Sequence, residues 1–457
     1  LYTYLKENDL LELWSRILRA SEERNQASFS EGYWVDHWTY NVDLLEDYSS
    51  IYPDKEEELF FDKEYRYFYS PVYVNPRKEK YVLLNDGRVR QYGALNLKEA
   101  NEKAKEIGYD MSKGGYLLSK DGNEIKANLA SKILSLIFVK FSTLDMEQMG
   151  IEMECEKPGW NDAMNGLPGL FGSGLSESVE LLRLTNYAIE HLTPFQNKEI
   201  HLLDEQDTFV NKLISLTFQY LENKLSRFAY WDEMTSAREE LRLSLKDRAL
   251  GTYKNEKVSS FLPFLKDIAK ILEDGILRAK KLGNGILPSY LIHEAKDYSK
   301  TGKKNFMGLD TVVIHSFETK TIPPFLEASA RALKVGKELI NQNDIKAIKE
   351  SDLYDKTYHF YKTAAALDNA PFEIGRVHAF TKGWLERECN FLHMSYKYLL
   401  GLLKGGYVDE FYKEMKTNLT LNMDPEIYGR NPLEASSFIV PTCNPDKSKH
   451  GQGFFAR

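Results

Sequence analysis

Residues 59–94, LFFDKEYRYFYSPVYVNPRKEKYVLLNDGRVRQYGA, decide how this chain is read, because they are the one long stretch where helical periodicity lapses. They are rich in Tyr, Val and Phe, and Asn85, Asp86 and Gly87 stand between two short β-like runs, the signature of a hairpin. On either side, apolar residues recur at the spacing of one helix face, beginning with Leu11, Trp14 and Leu18 in residues 10–24. Similar runs appear near 39–52, 97–108, 126–144, 176–192, 204–225, 231–249, 257–282, 324–342, 346–366, 380–404 and 407–419. Gly, Pro and Asn punctuate the links, as in EKPGW, NGLPGLFGSG and KLGNGILP. No repeat of fixed period is present, which argues against a solenoid. The expected fold class is all-α: a closed helical toroid or irregular bundle of about a dozen helices, with residues 59–94 as a small β-rich insertion.

The composition is that of an ordinary globular chain. Its 457 residues carry 60 Lys and Arg against 68 Asp and Glu, so the net charge of −8 argues against a basic nucleic-acid surface. No apolar run is long enough for a membrane span. Three cysteines, Cys155, Cys389 and Cys443, are too few and too scattered for a disulfide framework or a zinc knuckle, which points to a reducing, cytoplasmic setting. The aromatic share of 13% fits either a large aromatic core or a cleft that stacks flat ligands such as sugars.

Three segments concentrate groups able to do chemistry. Residues 156–184, EKPGWNDAMNGLPGLFGSGLSESVELLRL, hold Trp160, Asn161, Asp162 and Asn165 in a Gly-rich loop. Trp offers a sugar an apolar platform, and a partly desolvated carboxyl beside it acquires the raised pKa of a general acid. The competing reading makes Asp162 a turn residue and Trp160 a core anchor. No Gly-Lys-Ser/Thr follows the glycines, so this is not a nucleotide phosphate loop. Residues 30–48, SEGYWVDHWTYNVDLLEDY, interleave Tyr33, Trp34, Asp36, His37, Trp38, Tyr40 and Asp43, giving stacking faces and carboxylates for hydroxyl pairs. Here the competing reading has Asp36 capping a helix, and His37 with Asp43 is too little for a metal site. Residues 383–399, GWLERECNFLHMSYKYL, read as helix, put Glu386, Asn390 and His393 on one face. Four of the six Trp (34, 38, 160 and 384) lie in these segments.

Together the segments resemble the catalytic domain of the inverting glycoside phosphorylases, the group of cellobiose phosphorylase and the β-1,2- and β-1,3-oligoglucan phosphorylases. The resemblance rests on GWNDAMNGLPG and on the order of the three segments, and covers most of the chain. It implies a single (α/α)6 toroid over residues 1–457 with Asp162 as general acid. Trp160 and Asn161 line the same sugar subsite, Asp36 with Trp34 and His37 holds the non-reducing-end sugar, and Glu386 contacts sugar. His393, seven residues on, contacts phosphate, together with Arg19 or Arg24 upstream. Ser437 stands where cellobiose phosphorylases carry a phosphate-contacting Gln, which fits the oligoglucan branches. The family's Arg just before the Asp of the first segment has no counterpart at Ser30 or Val35. The family also carries an N-terminal β-sandwich and, beyond the point matching Arg457, a loop that completes the phosphate site. No basic region and apolar run of a signal peptide follow Leu1, and the sequence stops at KSKHGQGFFAR without a helix or cap, so the true start is expected upstream and the chain is expected to be a fragment of a longer multidomain protein.

The expected activity is phosphorolysis of a β-linked gluco-oligosaccharide to α-glucose 1-phosphate with inversion. Asp162 protonates the leaving oxygen while inorganic phosphate, the co-substrate, attacks the opposite face; no cofactor or metal is called for. Arg90 is a further cation that would hold the dianion. An inverting hydrolase would instead need a general base, for which Glu386, Glu388 and Asp43 are the candidates. A non-catalytic carbohydrate-binding domain is the third reading. The implied partners are sugar, phosphate and a second copy in a homodimer, with no nucleic acid and no membrane.

Overall fold

Residues 283–323 carry no helical run, and they build the longest strands of the protein. The computed structural model describes residues 10–20, 35–69, 72–107, 115–154, 159–428 and 437–454. A curled, six-stranded antiparallel sheet comprises β1 (Tyr81–Leu83), β2 (Val89–Gln91), β3 (Ile151–Glu152), β4 (Ser173–Gly174), β5 (Tyr290–Lys304) and β6 (Asp310–Thr321). Their order across the sheet is β2-β1-β6-β5-β4-β3. The β5–β6 turn is set by Asn305, whose Oδ1 accepts the Met307 and Leu309 N–H groups at 3.0 and 3.1 Å. Along β6, Val312 and Ile314 are buried while Val313 and His315 face solvent, the two-residue period of a half-covered sheet.

This sheet overturns the all-α toroid expected from the sequence: the protein is mixed α/β, 51% helical and 19% strand. The hairpin at Asn85–Gly87 is present as β1–β2, but it joins β6 at the sheet's edge and is not an isolated excursion. Three helical readings also fall short, and of residues 324–342 only Leu326–Ala332 and the first residue of the next helix are helical. Residues 346–366 contain only the end of a helix, Gln342–Glu350, followed by strands Tyr354–Asp355 and Phe360–Tyr361. The helix stops at Ser351, whose backbone is extended, and Asp355 then accepts the N–H groups of Thr357 and Tyr358, both at 3.0 Å, in the tight turn that joins the two strands. Residues 380–404 are helical only from Leu392.

Helix α1 (Leu11–Ala20) buries none of its residues, and the main core is built by α2 (Val35–Ile51), α3 (Leu129–Phe141), α4 (Leu175–Leu192), α5 (Arg227–Ser244), α6 (Val258–Leu282), α7 (Leu326–Ala332) and α8 (Leu392–Lys404) together with the helix Asp204–Leu221. Helix α4 lies at its centre, packing against α2, α3, α6 and α7, and most of its residues are buried. A second apolar cluster, with Met164, Leu167, Leu170, Tyr290, Ile292, Phe325 and Ile374, fills the space between β5 and the Gly-rich loop. Among the described residues no helix is long and apolar enough to cross a membrane.

Candidate functional site

The Gly-rich loop is pinned from below by its own apolar residues. Ala163, Met164 and Leu167 are fully buried, whereas Asp162 and Asn165 project from the same turns and are exposed. Asn161 starts the short turn Asp162–Met164: its Oδ1 accepts the Ala163 N–H at 3.1 Å, while its Nδ2 is buried without a partner. The loop is laced to residues 372–376, because Gly166 N–H donates to the Ile374 carbonyl at 3.0 Å and the Arg376 N–H to Asn165 Oδ1 at 2.9 Å. Asp162 makes no hydrogen bond or ion pair with any described residue.

Trp160 brings this loop to the third segment. Its half-buried ring lies 5.8 Å from Phe391 and 5.9 Å from His393, and its Nε1 is buried without a partner. Strands β7 (Asn390–Phe391), β8 (Phe438–Ile439) and β9 (Gly453–Phe454) form a small antiparallel sheet in which Phe391 pairs with Phe438 and Phe438 with Phe454. The rings stack at 4.4 and 5.2 Å, and Trp384 closes the ladder on Phe454 at 3.8 Å. The helical face proposed for Glu386, Asn390 and His393 is therefore not formed. Glu386 lies in a tight turn with Leu385 and Glu388 at positive φ, Asn390 is in β7, and only His393 is on α8.

A buried chain of charges links α7, α4 and α2. Arg331 on α7 bonds Glu327 at 2.9 Å, Glu180 at 3.1 Å and Thr39 Oγ1 at 2.9 Å, and the Tyr290 hydroxyl donates to Glu327 at 3.2 Å. Glu180 meets Arg183 at 3.3 Å, which in turn holds Asp43 and Glu46. Burial opposes ionisation of Asp43, but the Arg183 hydrogen bond and charge outweigh it and hold the carboxyl below its usual range. A carboxylate so committed is a poor general base. Glu177, in the first turn of α4, differs: it is half-buried and makes no hydrogen bond or ion pair with any described residue. Burial pushes its carboxyl up, with Lys140 opposing and Glu327 adding.

The other expected residues are dispersed. Arg19 is exposed on α1, a helix with no buried residue, and no contact ties it to Trp160 or His393. Arg90 is taken by Glu373, which accepts from its Nε and Nη2 at 2.9 and 2.7 Å, so it does not serve as a free phosphate ligand. Glu388 is buried and accepts the Leu367 N–H at 3.3 Å, which argues against it as a base. Ser437 is half-buried, its backbone linking α8 to β9: its carbonyl accepts from Leu392 and its N–H donates to Phe454, both at 3.0 Å. Arg24 and Trp34 lie outside the described residues, as do the side chains of Asp36 and His37.

Sequence reasoning missed Glu177, which reads as an ordinary acidic residue in a first helical turn. It also missed a buried Asp145–Ser173–His293 cluster. Ser173 Oγ donates to Asp145 at 2.7 Å and meets His293 Nε2 at 3.1 Å, and His293 Nδ1 meets Thr319 at 2.8 Å. All three are fully buried, so this is a polar staple between β4, β5 and β6 and not a nucleophilic triad. A comparison with protein-family models finds no match, and neither does a comparison with curated proteins.

Proposed function

We propose that the protein acts on a β-linked gluco-oligosaccharide by phosphorolysis, releasing α-glucose 1-phosphate with inversion. What supports the reading is that Trp160, two residues from Asp162, lies 5.9 Å from His393. The loop bearing a free carboxyl thus meets the helix bearing an imidazole, the pairing an acid and an anion-holding group require. Asp162 donates a proton to the departing glycosidic oxygen, Trp160 carries the sugar's apolar face, and His393 holds the attacking phosphate. A dianion is already a nucleophile, so no second carboxylate has to deprotonate it. Sugar binding by Asn161 and Glu386 and a cytoplasmic setting, where phosphate is abundant and Cys389 and Cys443 stay free, belong to the same reading.

The test is incubation with β-linked gluco-oligosaccharides with and without phosphate. Glucose 1-phosphate formed only with phosphate supports the proposal. Free glucose formed without phosphate identifies a hydrolase, and sugar binding with no product identifies a binding domain. Asp162→Asn is expected to lower kcat on unactivated substrates by about 100-fold or more, with an unchanged unfolding midpoint.

A further inference from the structure

We propose that Glu177 is the hydrogen-bonding floor of the sugar subsite walled by Trp160, its carboxylate accepting two neighbouring ring hydroxyls of the oligosaccharide. The assignment rests on the carbohydrate reading above and is independent of the phosphate step. Two glycine backbones seat this side chain. A Cβ built on Gly159 would stand 3.5 Å from Glu177 Oε1, and one on Gly174 would stand 3.8 and 4.0 Å from its Cγ and Cδ. The carboxyl therefore lies directly beneath the Gly159–Trp160 turn. Of the two cations that act on Glu177, Arg331 is paired with Glu327 and Glu180, and Lys140 lies over the Trp38 ring. Next along the chain from Gly159, Trp160 Nε1 and Asn161 Nδ2 are donors with no acceptor, and Asn161 is only 1% exposed. Among the described residues, an acceptor without donors and two donors without acceptors lie around one turn, and they complement a polyol, whose hydroxyls both give and take hydrogen bonds.

The charged and titratable groups that act on Glu177 are Lys140 from α3 and Glu327 and Arg331 from α7, with Tyr290 of β5 beyond them, bonded to Glu327. Burial raises the Glu177 carboxyl above its ordinary 4.5. A hydroxyl donating to a carboxylate favours the ionised form, so sugar affinity must rise as pH climbs through this titration.

Calorimetric titration of sophorotriose, laminaritriose and cellotriose between pH 4 and 8 tests this on the wild type, Glu177→Gln and Glu177→Ala, with unfolding midpoints recorded alongside. The best-bound trisaccharide is expected to gain about tenfold in affinity from the acid to the alkaline end in the wild type. Glu177→Gln is expected to be flat with pH and to match the wild type at the acid end, a convergence that a merely structural role would not produce. If Glu177→Gln keeps both the wild-type affinity and its pH slope, the proposal falls and Glu177 is only the start of α4. Should Glu177→Ala fail to fold, the Gln variant decides alone. A wild type that binds none of the three overturns the carbohydrate reading itself, whereas wild-type binding with unaffected variants overturns only the role of Glu177.

Discussion

Gly166 has no room for a side chain. A Cβ there would stand 1.7 Å from the Glu373 carbonyl oxygen and 2.8 Å from its carbon, both backbone atoms. Neither can step aside cheaply, because the same segment is held by the Gly166–Ile374 and Asn165–Arg376 hydrogen bonds. Gly166→Ala must therefore separate the Trp160 loop from residues 372–376, at a cost of about 1–3 kcal/mol, the range for overpacking. The Arg90–Glu373 ion pair spans the same junction, but Glu373 is 36% exposed and such a pair contributes about 0–1 kcal/mol. Backbone fit, not charge, locks this junction. Denaturant unfolding of Gly166→Ala and Glu373→Gln should show the first midpoint well below the second. Equal midpoints would transfer the locking role to the ion pair.

The strands β7, β8 and β9 act as one element because Phe391, Phe438 and Phe454 stack across them, with Trp160 at one end and Trp384 at the other. Phe438 is the middle ring and is 3% exposed. Phe438→Ala is expected to cost about 3–5 kcal/mol and to change the fluorescence of Trp384, which loses the support behind Phe454; a destabilised variant with unaltered Trp emission would show that the ladder does not act as a unit. The ladder was not legible in the sequence, since Phe391, Phe438 and Phe454 are far apart along the chain and only the pairing register makes them neighbours. The β5–β6 hairpin escaped for another reason. Its outer half is rich in Lys, Asp, Ser and Thr and faces solvent, so the alternation around Val312 and Ile314 is short, and register shifts near Ala295 and Lys300 interrupt it. What could be read was local: Asn161, Gly166 and Pro168 mark the turns that present Asp162. The tie between Asp43 and Arg183, 140 residues apart, carries no local signal, and so Asp43 passed for a free base.

The pH response of the whole molecule follows from a buried cluster under β3. Trp231 Nε1 donates to Glu152 at 2.7 Å and Arg238 reaches it at 3.0 Å, while Glu154 collects Arg238, Arg242 and Lys80 at 2.9, 2.6 and 3.3 Å. Burial pushes Glu152 up to about 7, with Arg238 opposing and Glu154 adding. Burial opposes ionisation of Glu154 as well, but Arg238, then Arg242 and Lys80, outweigh it and hold that carboxyl well below its usual range. The folded state thus binds the Glu152 proton more tightly than the unfolded chain, whose value is 4.5. Its stabilisation is complete below pH 4.5 and is lost as pH rises through 7. Glu154, Asp145 and Asp43 have depressed values and act with the opposite sign, stabilising above their unfolded values and losing that contribution in acid. Stability should therefore be highest near pH 4.5, decline as pH rises towards 7, and fall again in acid. Denaturant midpoints measured from pH 4 to 9 should show a decline between about pH 4.5 and 7 in the wild type that Glu152→Gln, fixed in a neutral form, does not share. A wild type with no decline between pH 4.5 and 7, or a variant that declines equally, would move this response to some group other than Glu152.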